Sequence, residues 1–146
     1  MELKSKQPKK QRRSIFNLSL NLRWRLLTAP LSKELRKELG IKRLHVRKGD
    51  VVRIVKGDWK GHEGKVVEVD IKRCKIFIEG VTIKKADGTD VFYPIHPSKV
   101  AIVKLGEVDD VRRKIIERRQ KAREELVKVG KAKPLNEEQM RLLKTV

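Results

Sequence analysis

Between Gly49 and Leu105 apolar side chains recur at every second position, in runs of a few residues that end at a glycine or a charged turn. That pattern fits short strands. Val51-Val52-Arg53-Ile54-Val55 is a β-branched run ended by Gly57-Asp58. Val67, Val69 and Ile71 alternate with Glu68 and Asp70, and Cys74, Ile76 and Ile78 with Lys75, Phe77 and Glu79, which puts Lys72-Arg73 at a hairpin tip. After Gly80, Val81 and Ile83 lead to an Asp87-Gly88 turn suited to positive φ, and Val91-Phe92-Tyr93 and residues 100–104 supply two more strands. The expectation is a mostly β fold, a small five-stranded barrel, closed or nearly so. Val67, Val69, Cys74, Ile76, Ile78 and Ile102 are expected to fill its core. So small a domain buries only ~60% of the surface its unfolded chain exposes, which leaves little room for an enclosed active-site pocket.

Charge divides the chain into three zones. Residues 1–48 hold 15 basic and 3 acidic side chains, residues 49–105 hold 11 and 8, and residues 106–146 hold 12 and 8, within a total of +19. A basic arm (1–48), a nearly neutral barrel (49–105) and a basic extension (106–146) are the expected domains, and the asymmetry points to a polyanion partner. Lys4, Lys6, Lys9, Lys10, Arg12 and Arg13 lack apolar periodicity, so the start of the arm is expected to be disordered until it meets that polyanion. A mitochondrial transit peptide or a membrane-surface helix are the competing readings of the arm; Pro30 and the asparagines interrupt the latter. No apolar run is long enough to span a membrane.

The flanks read as helical. Leu31, Leu35 and Leu39 share a helix face, with Ser32 as N-cap and Gly40 as the C-terminal glycine of a short helix over about 32–39. Residues 110–129 carry an apolar stripe at Val111, Ile115, Ala122, Leu126 and Val129, capped by Asp109 or Asp110. Gly130 and Pro134 end that helix, and Asn136 with Gln139 forms a capping box for a last one.

Catalysis has little support. His45, His62 and His96 are scattered, and with the lone Cys74 they form a zinc set only if the fold gathers them. Nucleophile-elbow, Walker-type and HExxH spacings are missing, so an RNA-processing enzyme has no residues behind it. Asp50, Asp58, Glu63 and Asp70 read as partners for nearby lysines.

The richest segment is Gly57-Asp58-Trp59-Lys60-Gly61-His62-Glu63-Gly64-Lys65. Three glycines between two β-branched runs mark backbone that takes positive φ or approaches something closely. Trp59 and His62 offer faces for base stacking, while Lys56, Lys60 and Lys65 offer phosphate contacts. The simpler reading is a hairpin with solvated lysines and a tryptophan lid. Pro94 and Pro97 stiffen the approach to the last strand, fixing His96, Ser98 and Lys99 on the surface or simply ending the barrel.

From Gly49-Asp50 through Gly57, Lys60-Gly61 and Gly64-Lys65-Val66 the chain resembles the KOW motif of SH3-like barrels in ribosomal and transcription-elongation proteins. Gln11-Arg12-Arg13, Ile15-Phe16-Asn17, Ala29-Pro30-Leu31-Ser32-Lys33-Glu34-Leu35-Arg36, Ile78-Glu79-Gly80-Val81, Lys85-Ala86-Asp87-Gly88-Thr89 and Ile95-His96-Pro97-Ser98-Lys99-Val100 extend the likeness. Together they resemble the universal large-subunit ribosomal KOW proteins, number twenty-four in the universal naming, in their archaeal and eukaryotic form. The resemblance covers roughly residues 10–118. It implies a non-enzymatic ribonucleoprotein component in translation, without cofactor or metal. That component binds the 5′ region of large-subunit rRNA, acts early in subunit assembly and lies near the peptide exit tunnel. It also implies neighbouring large-subunit proteins as partners, no membrane, no homo-oligomer and a cytoplasmic, ribosomal location. The chain departs from relatives over 17–27, where Leu22, Trp24, Leu26 and Leu27 stand among positions usually more basic, so that stretch is expected to face another protein as well as RNA.

The candidate RNA-binding residues are Lys9, Lys10, Arg12, Arg13, Arg23, Arg25, Lys33, Arg36, Lys37, Lys42, Arg43, Arg47 and Lys48 in the arm. Lys56, Trp59, Lys60, His62, Lys84, Lys85, His96, Ser98 and Lys99 follow in the barrel, and Arg112 and Arg113 in the extension. The alternative function is a KOW-type transcription elongation or antitermination factor, which needs a larger α/β domain ahead of the motif than 48 basic residues can make. The scarcity of Asn and Gln beside Lys, Arg and Glu matches thermophile composition, although RNA binding enriches the same cations.

Overall fold

The computed structural model describes residues 5–129. Lys4 and the expected capping box at Asn136 lie outside that span. Helix α1 (Pro8–Phe16) and the single turn α2 (Leu20–Arg23) precede strand β1 (Thr28–Pro30), helix α3 (Lys33–Leu39) and strand β2 (Arg43–His45). Strands β3 (Val51–Ile54), β4 (Glu63–Asp70), β5 (Lys75–Ile78), β6 (Thr82–Lys84), β7 (Asp90–Phe92) and β8 (Val100–Lys104) follow, then helix α4 (Asp110–Lys128).

Antiparallel strands in the order β5-β4-β3-β8 make the central sheet, and β1-β2 and β6-β7 form two-stranded ribbons. Isolated bridges tie Leu31 to Ile102 and Ile76 to Ile95. One apolar core runs from Leu27 through Ala29, Leu31, Leu44 and Val46, across Val52, Ile54, Ile76, Ile78 and Ile102, to Ile116. The expected division at residue 48 therefore does not separate an arm from a body, because residues 27–46 supply part of the core.

Local chemistry explains much of this. The Ser32 Oγ accepts a hydrogen bond from the Leu35 amide, and Gly40 closes α3 at φ 66°, as the cap residues require. Helix α1 begins on Pro8 and buries no residue. Its Lys, Arg and Gln are good helix formers, so the first turns of the arm are helical where disorder was expected.

Two expectations about packing are corrected. The buried residue of β4 is Val66, with Val67 and Val69 only partly covered. The β4-β5 register shifts between Val66 and Glu68, and a bulge of this kind moves the following residues to the other face. In α4 the inward residues are Arg112 and Ile116, while Val111, Leu126 and Val129 of the expected stripe are 60%, 48% and 66% exposed. The surface under α4 presents backbone carbonyls and a carboxylate, which call for donors more than for methyl groups.

Candidate nucleic-acid interface

The glycine loop and the 95–99 segment are some forty residues apart in sequence. Backbone pairing joins them: the amides of Val55 and Lys56 donate to the Lys99 carbonyl at 2.8 and 3.3 Å. Lys56, Gly57, Asp58 and Trp59 from one side and Lys75, His96 and Lys99 from the other then line one cleft. Three ammonium groups face it against the single carboxylate of Asp58. Trp59 packs half-buried against the core, so it is a lid whose remaining face borders the cleft.

The glycines answer to geometry. Gly57 and Gly61 hold φ of 106° and 93°, conformations costly for residues with a Cβ. Gly64 has ordinary φ, but a Cβ there would stand 2.6 Å from the Glu79 carbonyl oxygen and 2.7 Å from Ile78. The motif's last glycine thus lets β4 lie against the end of β5.

The His62 ring sits 3.0 Å from the Glu79 carbonyl, edge-on to Trp59 with centroids 6.4 Å apart. It braces the loop as well as bordering it. In the 3-10 turn Pro97–Lys99, His96 Nδ1 accepts from the Ser98 amide and hydroxyl at 3.2 and 2.8 Å. The proton of the neutral ring then resides on Nε2. Burial, then Lys75 and Lys99, lower the His96 pKa, so this histidine is an uncharged donor and the lysines supply the charge.

Several arginines expected at RNA have other duties. Arg112 is 2% exposed and grips the fully buried Asp50 with Nη1 and Nη2, each at 2.7 Å. Asp50 also accepts from the backbone amides of Gly106 (2.8 Å) and Arg47 (2.9 Å). Arg112 is therefore a structural residue, and Asp50 does not offset surface lysines. Arg23 spends its guanidinium on the carbonyls of Leu18, Lys72 and Phe16, pinning α2 to the 71–74 turn. Arg47 pairs with Asp109, whose carboxyl this contact holds below the usual range. Arg36 donates to the Leu31 carbonyl at 2.7 Å and Arg113 lies 3.7 Å from Asp110, but both side chains remain exposed.

The other candidates are exposed. Lys9, Lys10, Arg12 and Arg13 lie on α1, Arg25 follows α2, Lys33 and Lys37 lie on α3, Arg43 opens β2, and Lys42 and Lys48 flank it. Lys60 sits on the glycine loop, whereas Lys84 and Lys85 belong to the separate β6-β7 hairpin, whose Gly88 has φ 79°. Sequence reasoning missed Lys75 because it sat in an alternating strand, where its neighbours across the sheet were invisible.

Among the described residues no helix is long and apolar enough to cross a membrane. The family model that describes ribosomal proteins L26 of eukaryotes and their archaeal counterparts, numbered twenty-four, matches residues 5–119, which takes in the arm, the glycine loop, the cleft and the start of α4. The chain belongs to this family of structural proteins of the large ribosomal subunit.

Proposed function

We propose that this chain holds large-subunit rRNA through the cleft between the glycine loop and the 96–99 turn, with the exposed cations of α1, α3 and residues 42–48 gripping phosphates on either side. The observation that carries the reading is the convergence of Lys56, Lys75 and Lys99 beside Trp59 and the neutral His96. Cations there position a phosphate chain, and an aromatic edge with an uncharged donor suits a base or a 2′-hydroxyl. Membership in the family supports the finer reading: the 5′ region of the rRNA, a role early in subunit assembly, and a position near the exit tunnel among neighbouring ribosomal proteins. It also supports a non-enzymatic, cytoplasmic role. Among the described residues, the arm ahead of the motif forms three short helices and a two-stranded ribbon.

The same reading takes the sheet as a five-stranded SH3-like barrel. Ile95 bridges to β5 at one edge of the central sheet, and five residues later Val100 opens β8 at the other edge. A chain that touches both edges within so short a distance curls the sheet on itself.

Filter binding to a transcript of the 5′ region of large-subunit rRNA tests the function. Counterion release predicts log K falling by roughly 0.7–0.9 per neutralised phosphate for each log unit of salt. A flat salt response would falsify the reading. Removing residues 1–17, none of whose described members joins the core, is expected to weaken RNA binding while leaving the melting temperature of the body unchanged.

A further inference from the structure

A second concavity, of about 580 Å³, opens between the arm and the sheet. Leu27, Val46, Val69 and Ile71 give it an apolar floor, Trp24 and His45 form one wall, and Arg47 and Lys48 stand at its rim with Glu68 as the sole lining carboxylate. Its volume is in the range of pockets that enclose small planar ligands.

The wall is an aromatic pair, with the Trp24 and His45 centroids 4.2 Å apart and the rings tilted by 59°. Trp24 is nevertheless 39% exposed, and Ile71 40%. His45 is fixed by its neighbours. Arg119 Nη2 lies 3.4 Å from Nε2, which must accept, so the Nδ1 proton goes to the Thr28 hydroxyl at 2.9 Å. Burial first, and then Arg119 and Arg47, push its pKa down to about 4, so the ring against the indole is uncharged at neutral pH.

The turn that follows Ile71 is set in place. Arg23 clamps α2 to the Lys72 carbonyl, holding the 71–74 turn beside the groove, and the Arg73 side chain there is 84% exposed. An apolar floor, an exposed indole and cations at the rim, with the basic 72–73 turn adjoining Ile71, fit a ligand with a flat face and an anionic tether. Arg47 already pairs with Asp109 and Arg73 with Asp70, but an apolar protein segment would leave Lys48, which has no ion pair among the described residues, unmatched at the rim. A preformed groove also spares the ordering cost of binding.

We propose that this groove takes one unstacked nucleotide of the rRNA, its base against the Trp24 indole and its phosphate on Lys48 and the 72–73 turn. The inference rests on the reading of the chain as an rRNA binder, and it adds a second contact point, distinct from the cleft at Trp59.

The test uses the full chain carrying Trp59→Phe, so that Trp24 is the only indole, titrated with hexa-adenylate and with an abasic hexamer of equal charge. Hexa-adenylate is expected to quench Trp24 emission and to bind about tenfold or more tighter than the abasic strand. Adding Trp24→Leu should erase that margin, and Lys48→Gln should weaken both strands alike. Equal affinity and equal emission for the two strands overturn the proposal. Salt-dependent binding of the rRNA transcript without any change in Trp24 emission sinks the groove alone, whereas no binding of the transcript by the unsubstituted chain sinks the rRNA reading with it. In assembled large subunits, a photo-crosslinker at position 24 is expected to reach RNA; a crosslink to a ribosomal protein overturns the proposal.

Discussion

The cleft beside Trp59 and the seat of α4 are both crowded with cations, yet they use them in opposite ways. In the cleft the cations are lysines, Lys56, Lys75 and Lys99, with no ion pair among the described residues. Under α4 they are arginines turned inward: Arg112 on Asp50, Arg119 on the Arg43 carbonyl and Arg123 on the Gly40 carbonyl, with Gln120 on the Leu39 carbonyl at 2.9 Å. A planar guanidinium directs several donors at fixed oxygens, whereas an ammonium on a flexible stem serves as a mobile point charge. The formal charge of +19 therefore overstates what an RNA can meet, since part of it is consumed in joining the extension to the body.

Breaking the inward set should have the largest effect. Arg112→Met leaves the Asp50 carboxylate buried with two backbone amides but no counter-charge, at a cost of about 3–5 kcal/mol in urea unfolding. The double variant Arg112→Met with Asp50→Leu should recover much of that loss. An unchanged midpoint for the single variant would mean that the pair contributes little and that α4 is held by other contacts.

Next comes Gly64→Ala, which forces β4 away from the Glu79 carbonyl and should cost roughly 1–3 kcal/mol by the same measurement. This substitution tests the frame that carries the lysines, and an RNA affinity that survives it would separate the cleft's charge from its exact shape. The outward set is tested directly by Lys56→Gln with Lys99→Gln. Stability should hold while the salt slope of RNA binding shrinks by about 1.4–1.8. Arg119→Gln is the mirror experiment, with an unchanged slope and a lower unfolding midpoint. If the two variants behave alike, the contrast between the two regions fails.

The smallest effect is one of pH. His45 has an ordinary value of 6.5 and about 4 in the folded chain, so folding favours its neutral form. That contribution is complete above about pH 6.5 and is lost as pH falls toward about 4. The melting temperature of the native chain should thus drop more between pH 7 and pH 4 than that of His45→Asn. His96 shifts in the same direction in both proteins and cancels in the difference.

Much of the scaffold was legible because local rules carried it. Ser32, the leucine spacing and Gly40 delimit α3, and the alternation of Cys74, Ile76 and Ile78 matches their burial. Glycines 57, 61 and 64 announced a loop with the two properties it has, positive φ and close approach. What escaped was decided by partners distant in sequence. Three-residue strands at 28–30 and 43–45 are defined by pairing across α3, and one of them even includes Pro30. The bulge at Val67 reverses a pattern that continues smoothly in the sequence. The face of α4 went unread because an arginine that meets phosphate and one that meets a carbonyl look the same until the surface beneath is known. Trp24 stood out only as a departure from relatives, and its pairing with His45 required the fold.

The Asp50 carboxylate has a consequence for the order in which this chain is made. Its four hydrogen-bond donors come from residues 47, 106 and 112, so the carboxylate stays short of partners until the chain has been synthesised past position 112. Until then the nascent sheet keeps a hydrated carboxylate at one end, and that end remains open. The buried end of the body is completed only when the first turn of α4 arrives, whereas the basic arm emerges first.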